Sequence, residues 1–157
     1  MKCYKVVTVI RDEYGYVDRK SAMWDLLGLC GVTYPTDGQW AHGYHGTPVM
    51  VFDSLAMAWY FMDNNTGTIG FEIWEVECKN LRKPDWILSV LNIRQDVDFQ
   101  LFWECGRWYS QSNYEGWARK APPDGTLIAD EVRLVHPISI DEARAAYNQW
   151  RETHESL

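Results

Sequence analysis

Two stretches of this chain gather the residue types best suited to recognising a ligand. Thr33 to Gly46 (TYPTDGQWAHGYHG) holds three glycines, one proline and no periodic apolar pattern, which marks it as loop. The same stretch carries Trp40, His42, Tyr44 and His45, and loops rich in aromatic and polar groups are where binding concentrates. Cys105 to Lys120 (CGRWYSQSNYEGWARK) interleaves Arg107, Trp108, Tyr109, Tyr114, Trp117, Arg119 and Lys120. Rings stack on a flat base while neighbouring cations hold a phosphate through charge-assisted hydrogen bonds. The pattern therefore points to a nucleotide-derived small molecule. Rings and arginines together also build the energetic centre of protein interfaces. The plainer account is that these rings pack their own segments onto the core.

Other constellations are incomplete. His42-x-x-His45 places two imidazoles three residues apart, but Asp37 is the only nearby acid and zinc needs a fuller set of nitrogen and sulfur ligands. No metal site is assigned. Either histidine has the right proton affinity for a general base, yet no nucleophile partner is identified. Glu75 and Glu77 share a strand face, where two carboxylates shift one another's proton affinity or simply line a solvated edge. The chain has no G-x-S-x-G elbow, phosphate loop or H-E-x-x-H motif. No catalytic residue is assigned, and an enzyme is the less favoured reading. Four cysteines, Cys3, Cys30, Cys78 and Cys105, never form C-x-x-C and read as buried, reduced thiols.

A net charge of -7 disfavours general nucleic-acid binding, which needs clustered cations to displace counterions, and equally an anionic membrane surface. No apolar run approaches the length that spans a bilayer, and the N-terminal residues lack a secretory apolar region, so a cytoplasmic protein is expected. Nine tryptophans and nine tyrosines exceed what a core of this size uses, leaving rings for a ligand or partner.

The elements that would position these loops follow from local signals. Gly46 to Lys79 reads as strand, helix, turn, strand: Pro48 to Phe52 is an apolar run, Ser54 a helix cap, and Leu55, Ala58, Trp59 and Met62 recur at helical spacing. Phe71 to Cys78 returns as strand. Tyr4 to Ile10, apolar on both faces, is expected to be a central strand, followed by a turn over Arg11 to Tyr16. Ser21 to Leu29 is expected as a short helix, Asp85 to Asn92 is ambiguous, and Val97 to Glu104 alternates as a strand. Thr126 to His136 reads as a strand broken near Asp130 and stopped by Pro137. Ser139 with Glu142 forms a capping box, opening a helix whose stripe is Ile140, Ala143, Tyr147 and Trp150. The sum is one α+β domain over residues 1–157, with roughly five to six strands in a mixed or mainly antiparallel sheet and two to three helices.

The run VFDSLAMAWYF followed by FEIWEVECKNL resembles the middle of ADP-ribosyltransferase-like domains, with Asp53-Ser54 at the polar end of a strand and Ala58 and Tyr60 as the helix positions of an A-x-Y element. The closing APPDGTLIADEVRLV is similar to small phage and prophage proteins of this layout. The resemblance implies a fold able to hold a dinucleotide-like ligand, with Tyr60 lining the site. It also implies a phage protein, in the bacterial host cytoplasm, that sequesters a defence signal without a cofactor. Its alternatives are an enzyme using NAD, with Glu115 or Glu131 as the acid, and a protein–protein inhibitor. The pattern departs from that family in the first strand, which offers Tyr4 and Lys5 where a His or Arg is usual. Its one E-x-E, Glu75-Val76-Glu77, comes early in the chain.

Overall fold

The strand on which the rest is built is β1 (Cys3–Arg11), in a computed structural model that describes residues 1–22, 31–43, 46–84, 87–88, 119–120 and 124–155. Strand β2 (Val17–Ser21) returns against it through the turn at Asp12, whose carboxylate accepts from the backbone N–H groups of Tyr14 and Tyr16. There follow β3 (Ala41–His42), β4 (Val49–Phe52), helix α1 (Leu55–Asn65) and β5 (Phe71–Lys79). Next come β6 (Ile87–Leu88), β7 (Arg119–Lys120), β8 (Thr126–Ala129), β9 (Glu131–Ile138) and helix α2 (Ile140–Glu155).

The fold is α+β: an open antiparallel sheet of seven strands in the order β3-β9-β5-β1-β4-β8, with β2 also beside β1, and two helices among the described residues. β6 and β7 form a separate two-stranded pair. One edge of β1 is shared: Tyr4 pairs with Phe52 of β4, while Val7 to Arg11 pair with β2. The other edge pairs with β5 from Cys3 opposite Val76 to Thr8 opposite Phe71. β1 is buried on both faces through its middle, as its valines and isoleucine on both faces predict.

Alternation divides the core in two. Val6 of β1, Phe52 of β4 and Ile73 of β5 face the helices, packing with Ala56, Met57, Ala58, Trp59 and Met62 of α1 and Ala143 of α2. Met62 and Ile73 are wholly buried, each contributing about 1.5–3 kcal/mol of hydrophobic stabilisation. Ser54 caps α1 by accepting from the Met57 N–H at 3.2 Å, and Ser139 does the same for α2 through Glu142 at 3.1 Å. On the opposite face Cys3, Val7, Val49, Val51, Trp74, Val76, Leu127, Ala129, Val132 and Leu134 form a second core with no helix over it among the described residues.

The sheet bends at one corner. A single residue, Asp130, separates β8 from β9, although these strands lie at distant places in the sheet order. Asn80 takes a left-handed φ of 54° directly across from it, a conformation that asparagine tolerates better than most side chains. The Asp130 N–H donates to Lys79 O at 2.9 Å, and its carboxylate accepts from Asn80 Nδ2 at 2.9 Å and pairs with Arg82 at 3.0 Å. The Asn80 amide and then the Arg82 guanidinium hold that carboxyl below its usual range. Arg82 and Ile128 exchange two backbone hydrogen bonds, so the chain after β5 continues along β8 as β5 itself runs along β9.

Three expectations change. Ser21 is itself the last residue of a strand, its Oγ accepting from the Val32 N–H at 2.8 Å, while the body of the helix expected after it lies outside the described residues. Pro137 does not stop β9, which runs on to Ile138. The register of β5 against β9 shifts between Glu75 and Val76, and an irregular ladder accommodates a residue with no N–H. The loop from Thr33 to Gly46 contains the short strand β3. Residues 23–29, 85–86, 89–92 and the alternating run Val97 to Glu104 lie outside the described residues.

Candidate ligand-binding site

β3 reaches the sheet through two cross-strand pairs, Ala41 opposite Val132 and His42 opposite Glu131. Ala41 is buried in the helix-free core, so alternation turns its neighbours Trp40 and His42 to the other face. Trp40 lies over two cations there, with Lys79 Nζ 4.2 Å and Arg133 Cζ 4.8 Å from its ring centroid. Lys79 pairs with Glu131 at 3.0 Å and Arg133 pairs with Glu77. These four charges sit on adjacent strands β5 and β9, so the tryptophan rests on a neutralised lattice that fixes the ring from the sheet side.

Beside this ring an open cleft of about 360 Å³ runs between two backbone segments. Gly31, Val32, Thr33 and Pro35 form one wall; Trp40, Ala41, His42 and Gly43 form the other. The second wall is set by a close approach. A Cβ on Gly43 would lie 1.9 Å from Thr47 O, so only glycine lets the chain turn there. Thr47 is itself buried, and its Oγ1 has no hydrogen-bond partner among the described residues.

Of the ligand residues expected from sequence, Trp40 and His42 meet at this cleft. Tyr60 does not join them. It stands on α1 with its ring 5.8 Å from Tyr147 of α2, on the helical side, and Tyr147 continues a stack through Trp150 to His154. Arg119 and Lys120 lie on β7, paired with Leu88 and Ile87. Tyr44, His45, Arg107, Trp108, Tyr109, Tyr114 and Trp117 lie outside the described residues, as does Glu115. Glu131 is engaged by Lys79, and Glu75 by Lys2 at 3.3 Å and His136 at 3.5 Å.

Sequence reasoning passed over the most unusual side chain near the cleft. Lys5 is 9% exposed and is the only charged residue among the buried described residues. Its Nζ donates to Met50 O at 2.7 Å and lies 5.5 Å from the Tyr34 ring centroid. Removal from water pushes its ammonium down to about 8, with the Cys78 sulfur acting weakly in the opposite sense. Burial likewise raises Tyr34, which is 3% exposed and hydrogen-bonded to the Ser21 hydroxyl. Burial raises Cys3 too, and pushes the Cys78 thiol up to about 12. A signal was available: a lysine inside a strand apolar on both faces has no solvated side to occupy.

Comparison with protein-family models, with curated proteins and with solved structures finds no match to this chain. Among the described residues no helix is long and apolar enough to cross a membrane.

Proposed function

We propose that the protein is a small-molecule binding protein whose ligand occupies the cleft beside Trp40 and His42, with a nucleotide-derived molecule as the ligand class. The observation that carries this reading is the cleft itself: two backbone walls and one tryptophan whose position is set before any ligand arrives. Its size falls in the range of small-molecule sites. A planar base finds a fixed aromatic ring and an exposed imidazole, while the glycines at 31 and 43 put no side chain into the cleft. A ring held in place loses little freedom on binding, which favours affinity. Calorimetry of the chain against adenosine, ADP-ribose, NAD and cyclic nucleotides tests the proposal. Heat with at least one of them, abolished by Trp40→Ala, supports it; silence across the panel, or heat indifferent to Trp40→Ala, refutes it.

A further inference from the structure

Lys5 poses an electrostatic problem that the described residues leave unsolved. An ammonium carries three N–H donors, and Lys5 directs one to Met50 O and turns toward the face of Tyr34. Among the described residues, the groups around it supply no counter-charge. From β1 comes the thiol of Cys3 and from β5 come Trp74, directly opposite, and Cys78. Both thiols are held in their neutral form by burial. The acid on this face of β5 is Glu72, and it is already taken, accepting from Arg19 Nε at 2.8 Å and from Trp74 Nε1 at 3.0 Å. A buried ion without its opposite is costly, and removing the amine's partner is what makes such a site hungry for one.

Two observations connect this amine with the cleft. Tyr34 sits between cleft-lining Thr33 and Pro35, yet its own ring covers Lys5. Thr47, three residues before the carbonyl that holds Lys5, carries the unpartnered hydroxyl behind Gly43 of the opposite wall. We infer that Lys5 receives an anionic group of the ligand, a phosphate or a carboxylate, with the Thr47 hydroxyl as a second donor and displacement of the Tyr34 ring as the way in. The inference rests on the cleft as the ligand site. It adds the chemical requirement that a nucleoside with a phosphate be preferred over the bare nucleoside.

The test follows the Lys5 amine directly. In the chain with isotopically labelled lysine, the resonance absent from Lys5→Met identifies Lys5, and its titration is recorded without ligand and with inorganic phosphate, acetate, adenosine or AMP. Without ligand the midpoint is about 8. Phosphate, or acetate if the site takes carboxylates, raises it toward the ordinary lysine value. Calorimetry shows AMP bound at least about tenfold more tightly than adenosine, a preference that Lys5→Met loses. Neither anion moving the Lys5 titration, or AMP and adenosine binding alike, overturns the inference. If adenosine binds through Trp40 while Lys5 stays silent, the cleft reading survives alone. If phosphate moves Lys5 while no nucleoside binds, the anion site survives and the cleft reading falls.

Discussion

Replacing Lys5 by methionine should stabilise the fold at neutral pH and destabilise it in alkali. The folded ammonium titrates at about 8 against an ordinary 10.5. A tenfold change in proton affinity is worth about 1.4 kcal/mol, so charged Lys5 costs the native state about 3 kcal/mol below pH 8. Between pH 8 and 10.5 the unfolded chain still binds this proton and the folded chain has released it. Stability therefore rises with pH across that window, and above it the penalty is gone. Methionine removes the charge at nearly constant volume but leaves Met50 O without the donor it has at 2.7 Å, a loss of about 1–2 kcal/mol. The net expectation is a gain of about 1 kcal/mol at pH 7, a rise in Tm of about 3 °C, reversing to a loss near pH 10.5. The assay is urea unfolding followed by tryptophan fluorescence, from pH 7 to 10.5, in buffers free of phosphate and carboxylate. Tyr34, Cys3 and Cys78 also titrate in alkali, with the opposite sign; Tyr34 and Cys3 are common to both proteins and cancel in the difference, while the Cys78 thiol, which feels the Lys5 charge, rises further in the variant. A difference between variant and wild type that stays flat across this range refutes the account of Lys5 as a buried cation without a counter-charge.

Cys78, with its thiol pushed up to about 12, should react with iodoacetamide at pH 8 more slowly than an unfolded cysteine by about a hundredfold or more; peptide mass spectrometry with and without urea reads this, and equal rates count against it. Ser54→Ala should cost about 1 kcal/mol through loss of the bond to the Met57 N–H, while Ser54→Asp keeps it, as thermal melts would show. Gly125 has φ +83°, and a Cβ there would stand 2.7 Å from Asp53 Oδ1 and 2.8 Å from Met57 Cγ. Gly125→Ala should therefore lower stability by about 2–3 kcal/mol in urea titration, and an unchanged midpoint would contradict that packing.

The parts of this fold legible in the sequence are those whose signals are local. Ser54 announces α1, Ser139 announces α2, and apolar runs mark β1, β4 and β5. β2 was missed because Val17 to Ser21 (VDRKS) carries no strand pattern of its own. It is a strand through its partner, by five pairs to β1 and the Arg19–Glu72 bridge to β5. Pro137 misled for a related reason: whether a proline ends a strand depends on whether its missing N–H faces a regular ladder, and a register shift in β9 lies outside local sequence. Ring type and loop composition mark Trp40 and His42 in the sequence, and the structure places both on one cleft. That Tyr60 belongs to a stack with Tyr147 depends on how two helices pack. Lys5 was hidden by its company: in YKVVTVI one charge looks like an ordinary surface residue until both faces of the strand prove to be covered.

The corner at Asn80 and Asp130 begins a clasp between two parts of the chain that are distant in sequence. Arg82 and Ile128 pair there, and farther out Ile87 and Leu88 pair with Lys120 and Arg119. Departure and return are thus fastened side by side, like the two rails of a stem. What lies between, residues 89–118, includes most of the aromatic and basic run that the sequence marks for recognition. The entropy of closing so long a stretch of chain grows only slowly with its length, and the paired backbone at its base offsets that cost with hydrogen bonds.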